Sequence, residues 1–509
     1  SVTAVADKKN RAVIRRCRRD HPDAIIGVCG CYSQHDSDAV KALGVDVIGG
    51  SGHREEFISM MLSALKTREH QESLDVALRR REFEVLPAGG LEERTRAMLK
   101  VQDGCVNFCS YCIIPYTRGP VRSAPLELAV QQAKELAGRG YREIVVTGIE
   151  IASWGVDLPG KPEPTVLIEA VCQAVPDLRV RLGSLEPRIV TEDFCERLCK
   201  LPNLCPQFHL SMQSGCDTVL ARMKRKYDTA RYYESVRLLN EYFPNCAVTT
   251  DMIVAFPGET EEEFTQSLDF IRKCAFADMH IFPYSRRPGT PADKMPGQLG
   301  NATKEERSRA AIAVADEMSR AYRENLIGTK LEVLFEEKDG DYFTGHAMNY
   351  VKVYAKGENL HNEVRTVTVT EVYKDGVKGM QNAMAEAVAN GVKIAGREVD
   401  CVRVGNASVD DLKAQPVFAL GCPAMGAEEL EEMEMEPFVA AVEKFVAGKT
   451  IALFGSYSWA EGQWMLDWTK RMQDAGATVV NSEGLICYDA PDADMIAKCE
   501  ALGKQLASI

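Results

Sequence analysis

The 509-residue sequence has no apolar run approaching the ~18 residues that cross a bilayer as a helix, which excludes a helical membrane span. Its opening, SVTAVADKKN, lacks the apolar core of a secretory leader, so a cytoplasmic protein with no membrane partner is expected. Low-complexity tracts and short-period repeats are absent, which sets aside a solenoid or a disordered array. A disulfide framework is missing too: the 17 cysteines are scattered, and most read as small buried apolar residues.

What is present is enough for several cores, since ~150 residues per domain predicts three or four units. The net charge of −13 is unevenly placed. Residues 380–509 hold 10 Lys+Arg against 20 Asp+Glu, so most of the excess lies in the last quarter, and two parts with different partners are expected. Residues 1–70 read as an α/β piece in which IIGVCGCYS (25–33) and DVIGGSGH (46–53) are strands running into loops. Arg79 to Pro87 is highly charged and reads as a linker. Apolar runs then alternate with helical stretches for over 200 residues, among them REIVVTGIE (142–150), RVRLGSLEP (179–187), FHLSMQSG (208–215) and AVTTDMIVAFPGE (247–259). Such alternation predicts a parallel sheet in a full or partial βα barrel, with ligands on the loops after the strand C-termini. Period-2 segments within 327–379, joined by KDGD and KGEN turns, predict a small antiparallel β-barrel. From Met380 the α/β alternation returns.

One group of cysteines stands apart. VQDGCVNFCSYCIIPYTRGPVRS (101–123) carries a C-x3-C-x2-C spacing in Cys105, Cys109 and Cys112. Three thiolates so close can hold three irons of a [4Fe–4S] cluster and leave the fourth open to a substrate. A zinc site would close with a fourth Cys or His, and none follows before Cys172. Tyr111, just before the last cysteine, fits an adenine-contacting position.

This stretch resembles radical S-adenosylmethionine enzymes, and within them the methylthiotransferases. Further motifs agree in order: TGIEIASWGVDL (147–158), RLGSLEP (181–187), HLSMQSGCDTVLARMKRKY (209–227), TTDMIVAFPGETEEEF (249–264) and FPYSRRPGTPA (282–292). The wording is nearest to the enzymes acting on N6-threonylcarbamoyladenosine in tRNA. The resemblance implies an α/β multidomain chain: a partial methylthiotransferase N-terminal domain (1–70), a radical-SAM partial βα barrel (90–325), a TRAM-like RNA-binding barrel (327–379) and a flavodoxin-like doubly wound unit (380–509). It implies a cluster on Cys105, Cys109 and Cys112. It also implies S-adenosylmethionine held by Tyr111, Thr147, Gly148, Ile149, Glu150, Ser184, Glu186 and Gln213. The reaction implied is methylthiolation at C2 of the modified adenosine beside the tRNA anticodon. The same chemistry on isopentenyladenosine tRNA or a ribosomal protein stays open, as does an electron-transfer or RNA-binding protein without catalysis.

Methylthiotransferases carry a second cluster on three N-terminal cysteines, of which Cys31 matches one. The sequence is expected to start inside that domain and to lack the other two, so that this chain could cleave S-adenosylmethionine without inserting sulfur. Basic runs at Lys8 to Arg19, including Arg15, Arg16, Arg18 and Arg19, and at Arg222, Lys224, Arg225 and Lys226 are candidate RNA contacts. On the barrel, Tyr350 and Lys352 are candidates, beside Tyr342, Phe343, Tyr354 and Lys356.

ALGCPAMGAEELEEMEMEPF (419–438) and ALFGSYSWAEGQWM (452–465) resemble the two flavodoxin loops that flank the flavin. That implies FMN near Met425, Gly426, Ala427, Ser456, Tyr457 and Trp459, and a reductant role in cis for the radical cluster; the resemblance also leaves room for a separate flavodoxin reductase. The family's Ser/Thr-Gly-x-Gly-Asn-Thr phosphate loop has no counterpart, with Lys378 and Gly379 standing as poor substitutes.

Overall fold

A computed structural model describes residues 4–88, 94–357, 359–381, 383–402, 404–425, 428–457, 461–488, 491 and 493–509. Two compact units result: Ser1–Leu326 with Met348–Tyr350, and Ile327–Ala347 with Val351–Ile509.

The first unit opens with the helix Ala4–Asp20 and a three-stranded parallel sheet, β1 (Gly27–Val28), β2 (Val47–Gly49) and β3 (Gln71–Ser73). The expected linker is no linker. Arg80 donates to Asp75 Oδ2 at 2.6 Å, Ser51 Oγ at 2.7 Å and Gln34 Oε1 at 2.8 Å, and Arg54 pairs with Glu84. The charges that suggested a solvated segment are used to bind it to the N-terminal sheet.

The central part places β4 (Arg96–Lys100), β7 (Glu143–Thr147) and β8 (Arg179–Leu182) in one parallel sheet, with the short hairpin β5 (Gln102–Asp103) and β6 (Arg122–Ser123) between the first two in sequence. A second parallel sheet holds β9 (Gln207–His209), β10 (Ala247–Val254) and β11 (Asp278–Pro283). Parallel bridges Val180↔Leu204 and Leu185↔Leu210 join the two into one arc, an open βα barrel. Ile144, Val146, Val180, Leu182, Val248 and Met252 join Ala129, Ala133, Leu136, Leu167 and Val171 of the helices Leu126–Gly138 and Pro164–Ala174 in one large apolar core. At the strand N-termini Glu143 is fully buried and held by Arg179 at 2.7 Å and Arg181 at 2.7 Å.

In the second unit a closed barrel runs β12 (Lys330–Asp339), β13 (Tyr342–Ala347), β14 (Lys352–Ala355), β16 (Gly376–Gln381) and β15 (Val364–Tyr373). It is not wholly antiparallel, because β14 and β16 pair in parallel through Val353↔Val377. After it come β17 (Val417–Gly421), β18 (Thr450–Tyr457), β19 (Thr478–Val479) and β20 (Leu485–Tyr488), in a parallel sheet with β18 paired to the other three. Helices Ala383–Ile394 and Ala493–Ala507 share one apolar cluster with the sheet, and Gln463–Asp474 belongs to the other. A sheet covered on both faces accounts for the near-continuous apolar strands.

Candidate active site

The three cysteines lie on the loop that follows β5, beyond the C-terminal end of β4. Main-chain bonds shape it: Cys105 N–H donates to Gly119 O at 3.0 Å, and Cys112 N–H to Cys109 O at 2.9 Å. Gly104, at φ +77°, starts the loop, and a Cβ there would lie 1.9 Å from Pro120 O, so no side chain fits. Ser110 ties the loop to the next layer, donating from N to Met223 O at 3.0 Å and from Oγ to Arg222 O at 2.8 Å. All three thiols are free. Burial pushes Cys105 up to about 11 and Cys112 up to about 12, so each needs a cationic partner to ionise. Two donors already face sulfur: Asn107 N–H to Cys105 Sγ at 3.4 Å and Arg225 Nη1 to Cys109 Sγ at 3.3 Å. Among the described residues no three His, Cys, Asp or Glu side chains converge as ligands of one ion would. Thiols that each take a different iron of a cubane need no such convergence. Donor set, sulfur-directed N–H groups and loop position all fit a cluster.

β7 brings Thr147, Gly148, Ile149 and Glu150 to the same end of the sheet. Gln102 Oε1 accepts from Glu150 N–H at 2.9 Å, and the Glu150 carboxylate accepts from Asn107 Nδ2 at 3.1 Å and from Ser153 Oγ. Burial raises the Glu150 carboxyl above its ordinary range against those hydrogen bonds, and the charge of Glu186 raises it further. Glu186 is buried and bound to Arg188 at 2.7 Å, while Ser184 is exposed on the rim. Gln213 is held left-handed at φ 69° by its main-chain bonds to Asp251 and Ile253, both 2.9 Å. Tyr111 is half-buried and edge-on to Phe256 at 6.4 Å. Asn107, Gln102, Ser153, Arg225 and Tyr227 were not singled out for this site from sequence. Gln102 and Asn107 stand in the cysteine motif itself, and the other three in quoted motifs.

Cys31 starts the short helix Cys31–His35, is buried, and accepts from Arg118 Nε at 3.2 Å. Arg118 Nη1 also reaches Asp103 Oδ2 at 3.4 Å, so one guanidinium spans from Cys31 to the hairpin before Cys105. Cys29 is exposed.

The basic runs divide. Arg15, Arg16 and Arg19 are exposed, but Arg18 is spent on Asp46 at 2.5 Å and on the carbonyls of Pro22, Ala24 and Gly44. In the second run Lys224 and Lys226 are exposed, Arg222 pairs with Glu263 at 2.6 Å, and Arg225 points inward, so it is not one solvated face. Lys352 pairs with Asp375 at 3.1 Å and covers Tyr354 at 5.0 Å. Tyr350 carries Arg181 over its ring at 4.7 Å and takes a hydrogen bond from Arg96 at 3.0 Å.

In the last part Met425 is exposed, and Ala424 N–H donates to Ser456 O at 2.8 Å, which sets the two expected flavin loops side by side. Tyr457 lies between Trp464 at 5.6 Å and Tyr488 at 5.4 Å. Gly426, Ala427 and Trp459 lie outside the described residues. The phosphate cradle does not fit. β16 ends at Gln381 and the following helix begins at Ala383, so a single residue separates them where a phosphate loop would need several N–H groups. Lys378 and Gly379 are barrel residues: Gly379 pairs with Val369 on β15, and Lys378 bonds Glu371 at 3.1 Å. FMN and riboflavin are therefore expected to bind equally in a flavin-fluorescence titration; tenfold tighter FMN would show a phosphate site elsewhere.

The Radical SAM superfamily profile matches residues 99–271 and the Flavodoxin profile residues 378–501. The Flavodoxin match fits an electron-donor role for that part. The sequence is similar to the threonylcarbamoyladenosine tRNA methylthiotransferase MtaB of Bacillus subtilis, 38% identical over 74% of this chain and 86% of that one. The Thermotoga maritima MtaB is 34% identical over 76% and 88%. The tRNA-2-methylthio-N(6)-dimethylallyladenosine synthase of Pelotomaculum thermopropionicum is 32% identical over 70% and 81%. Megasphaera elsdenii flavodoxin is 42% identical over 25% of this chain and 90% of that one, with a TM-score of 0.23. With the cysteine loop, the carboxylate rim and relatives matched over most of their length, the chain belongs to the radical SAM tRNA methylthiotransferase family, with a flavodoxin-family unit at its C-terminal end.

Proposed function

We propose that this chain transfers a methylthio group to C2 of N6-threonylcarbamoyladenosine beside the tRNA anticodon. The observation that carries the reading is the loop of three free thiols beyond the end of β4, faced by two sulfur-directed N–H donors and the half-buried Glu150. A [4Fe–4S] cluster bound there supplies the electron that cleaves S-adenosylmethionine to a 5′-deoxyadenosyl radical. Cys105, Cys109 and Cys112 hold it. Glu150, fixed by Asn107 and Ser153, is placed to take a cosubstrate's ammonium group, and the end of β7 offers main-chain partners for its carboxylate. Tyr111 closes one side beside Phe256. Cys31 contributes to the sulfur-donating site, tied to the first by Arg118.

The barrel serves to grip RNA in this reading. Tyr342 and Tyr373 are half-buried with ring centroids 5.8 Å apart, and Lys378 lies over both and Lys374 over Tyr373. Rings with cations above them suit bases and phosphates. The acidic C-terminal part enters as a docking module for a redox partner, and no step runs through a flavin in it.

The test is mass spectrometry of tRNA nucleosides from cells lacking and then re-expressing the chain. The 2-methylthio derivative of threonylcarbamoyladenosine is expected on re-expression. The methylthio derivative of isopentenyladenosine instead would transfer the assignment to the substrate named for the Pelotomaculum relative. No 5′-deoxyadenosine released under reduction would end the catalytic reading.

A further inference from the structure

Arg225 is the one member of its basic run turned toward the cysteine loop. The helix Asp217–Arg222 ends in a left-handed Lys224 at φ 57°, with Arg225 N–H bonded back to Leu220 O at 3.0 Å. That turn sends Lys224 and Lys226 outward and Arg225 inward. Each of its guanidinium nitrogens then donates: Nη1 to Cys109 Sγ at 3.3 Å, Nη2 to Ser211 O at 3.1 Å and Nε to Tyr227 Oη at 2.8 Å, with the Tyr227 ring 4.8 Å away. The same turn anchors Ser110, the residue after Cys109, so donor and sulfur ride on one frame. No described carboxylate pairs with Arg225, whereas Arg222 three residues earlier has Glu263. A half-buried guanidinium without an ion-pair partner suits an anion, and a thiolate-ligated cluster is one.

We propose that Arg225 is a positioning residue that makes the cluster on Cys105, Cys109 and Cys112 easier to reduce. It does so through a charge-assisted hydrogen bond to Cys109 sulfur and a positive charge that forms no ion pair with a described carboxylate. One electron enters from an external donor such as dithionite, no bond is made or broken, and the added negative charge is stabilised by the fixed guanidinium. Hydrogen bonds to sulfur and local net charge are the levers by which a protein moves such potentials.

The inference rests on the cluster reading above, and the experiment separates the two. Full-length protein, reconstituted anaerobically with iron and sulfide, is titrated with dithionite while the reduced-cluster EPR signal is followed. R225Q is expected to bind as much iron as the unmodified chain and to be at least tenfold harder to reduce, a midpoint about 59 mV more negative. R225K, which keeps the charge but not the fork, is expected between the two. Equal midpoints in R225Q and the unmodified chain overturn the proposal. If R225Q takes up no iron, R225K decides: a negative shift supports the role, and an unchanged midpoint with a raised KM for S-adenosylmethionine assigns Arg225 to the cosubstrate and overturns it. An unmodified chain that takes up no iron sinks the cluster reading itself.

Discussion

Changing Cys105, Cys109 and Cys112 together to alanine removes about four irons per chain and all release of 5′-deoxyadenosine. The expected loss is complete because the three thiols are the ligands the loop supplies. It is also cleanly interpretable, because the loop's shape rests mainly on main-chain bonds, with Asn107 N–H to Cys105 Sγ the one bond within it to a thiol among the described residues. Cys105 and Cys112 are fixed through their backbone N–H groups, and Ser110 carries the link to the layer beneath. The circular dichroism and Tm of the variant should therefore stay close to those of the metal-free parent. Iron and labile sulfide per chain are the measurements. About four irons in the parent and none in the variant mean a single radical cluster. About eight in the parent with about four surviving mean a second cluster, and the structure then points to Cys31 as one ligand, since it is buried and bonded to Arg118.

The second large effect falls at the opposite end of the strands. Glu143→Gln is expected to cost about 3–5 kcal/mol of stability, because it leaves the Arg179 and Arg181 guanidiniums in a buried site without their anion. Denaturant unfolding reads it. Burial alone would raise the Glu143 carboxyl, yet the two guanidiniums hold it below the ordinary range. Its contribution is thus present in full above the unfolded value of about 4.3 and fades as pH falls through the lower folded value. The gap between parent and E143Q should narrow correspondingly in acid. A constant gap down to pH 2 would mean that the charge of Glu143 is not what stabilises the sheet. Iron binding by E143Q at neutral pH should persist, since Glu143 begins β7 and the cysteine loop lies beyond the other end of the sheet.

Much of this was legible from the residues. Strand positions follow from apolar runs buried on both faces, so REIVVTGIE and AVTTDMIVAFPGE became β7 and β10. The cysteine spacing and the order of motifs located the loop and its rim. What charge alone could not reveal is direction. Arg18, Arg80, Arg222 and Arg225 sit in charged stretches that look solvated, and each turns inward because a carboxylate, a polar side chain, a row of carbonyls or a sulfur awaits it from another part of the chain. The parallel β14–β16 pairing was hidden for the same reason, since period-2 patterning marks faces and not neighbours. The break at Met380 marked the compositional change but cut a strand, because β16 continues to Gln381.

The pairing of helix Ala383–Ile394 with Ala493–Ala507 also has a consequence in time. Asn390 and Glu500, bonded at 2.7 Å, are 110 residues apart, and the backbone of Gly391 sits against Glu500 closely enough that a Cβ would lie 2.0 Å from its carbonyl oxygen. A ribosome adding ~5–20 residues per second needs about 5–20 s to span that gap. Through that interval the apolar side of the first helix, with Met384, Ala387 and Val388, waits for a partner not yet made. The cluster closes only once Ala493–Ala507 has emerged, so the newborn chain is most prone to chaperone capture or aggregation during that interval.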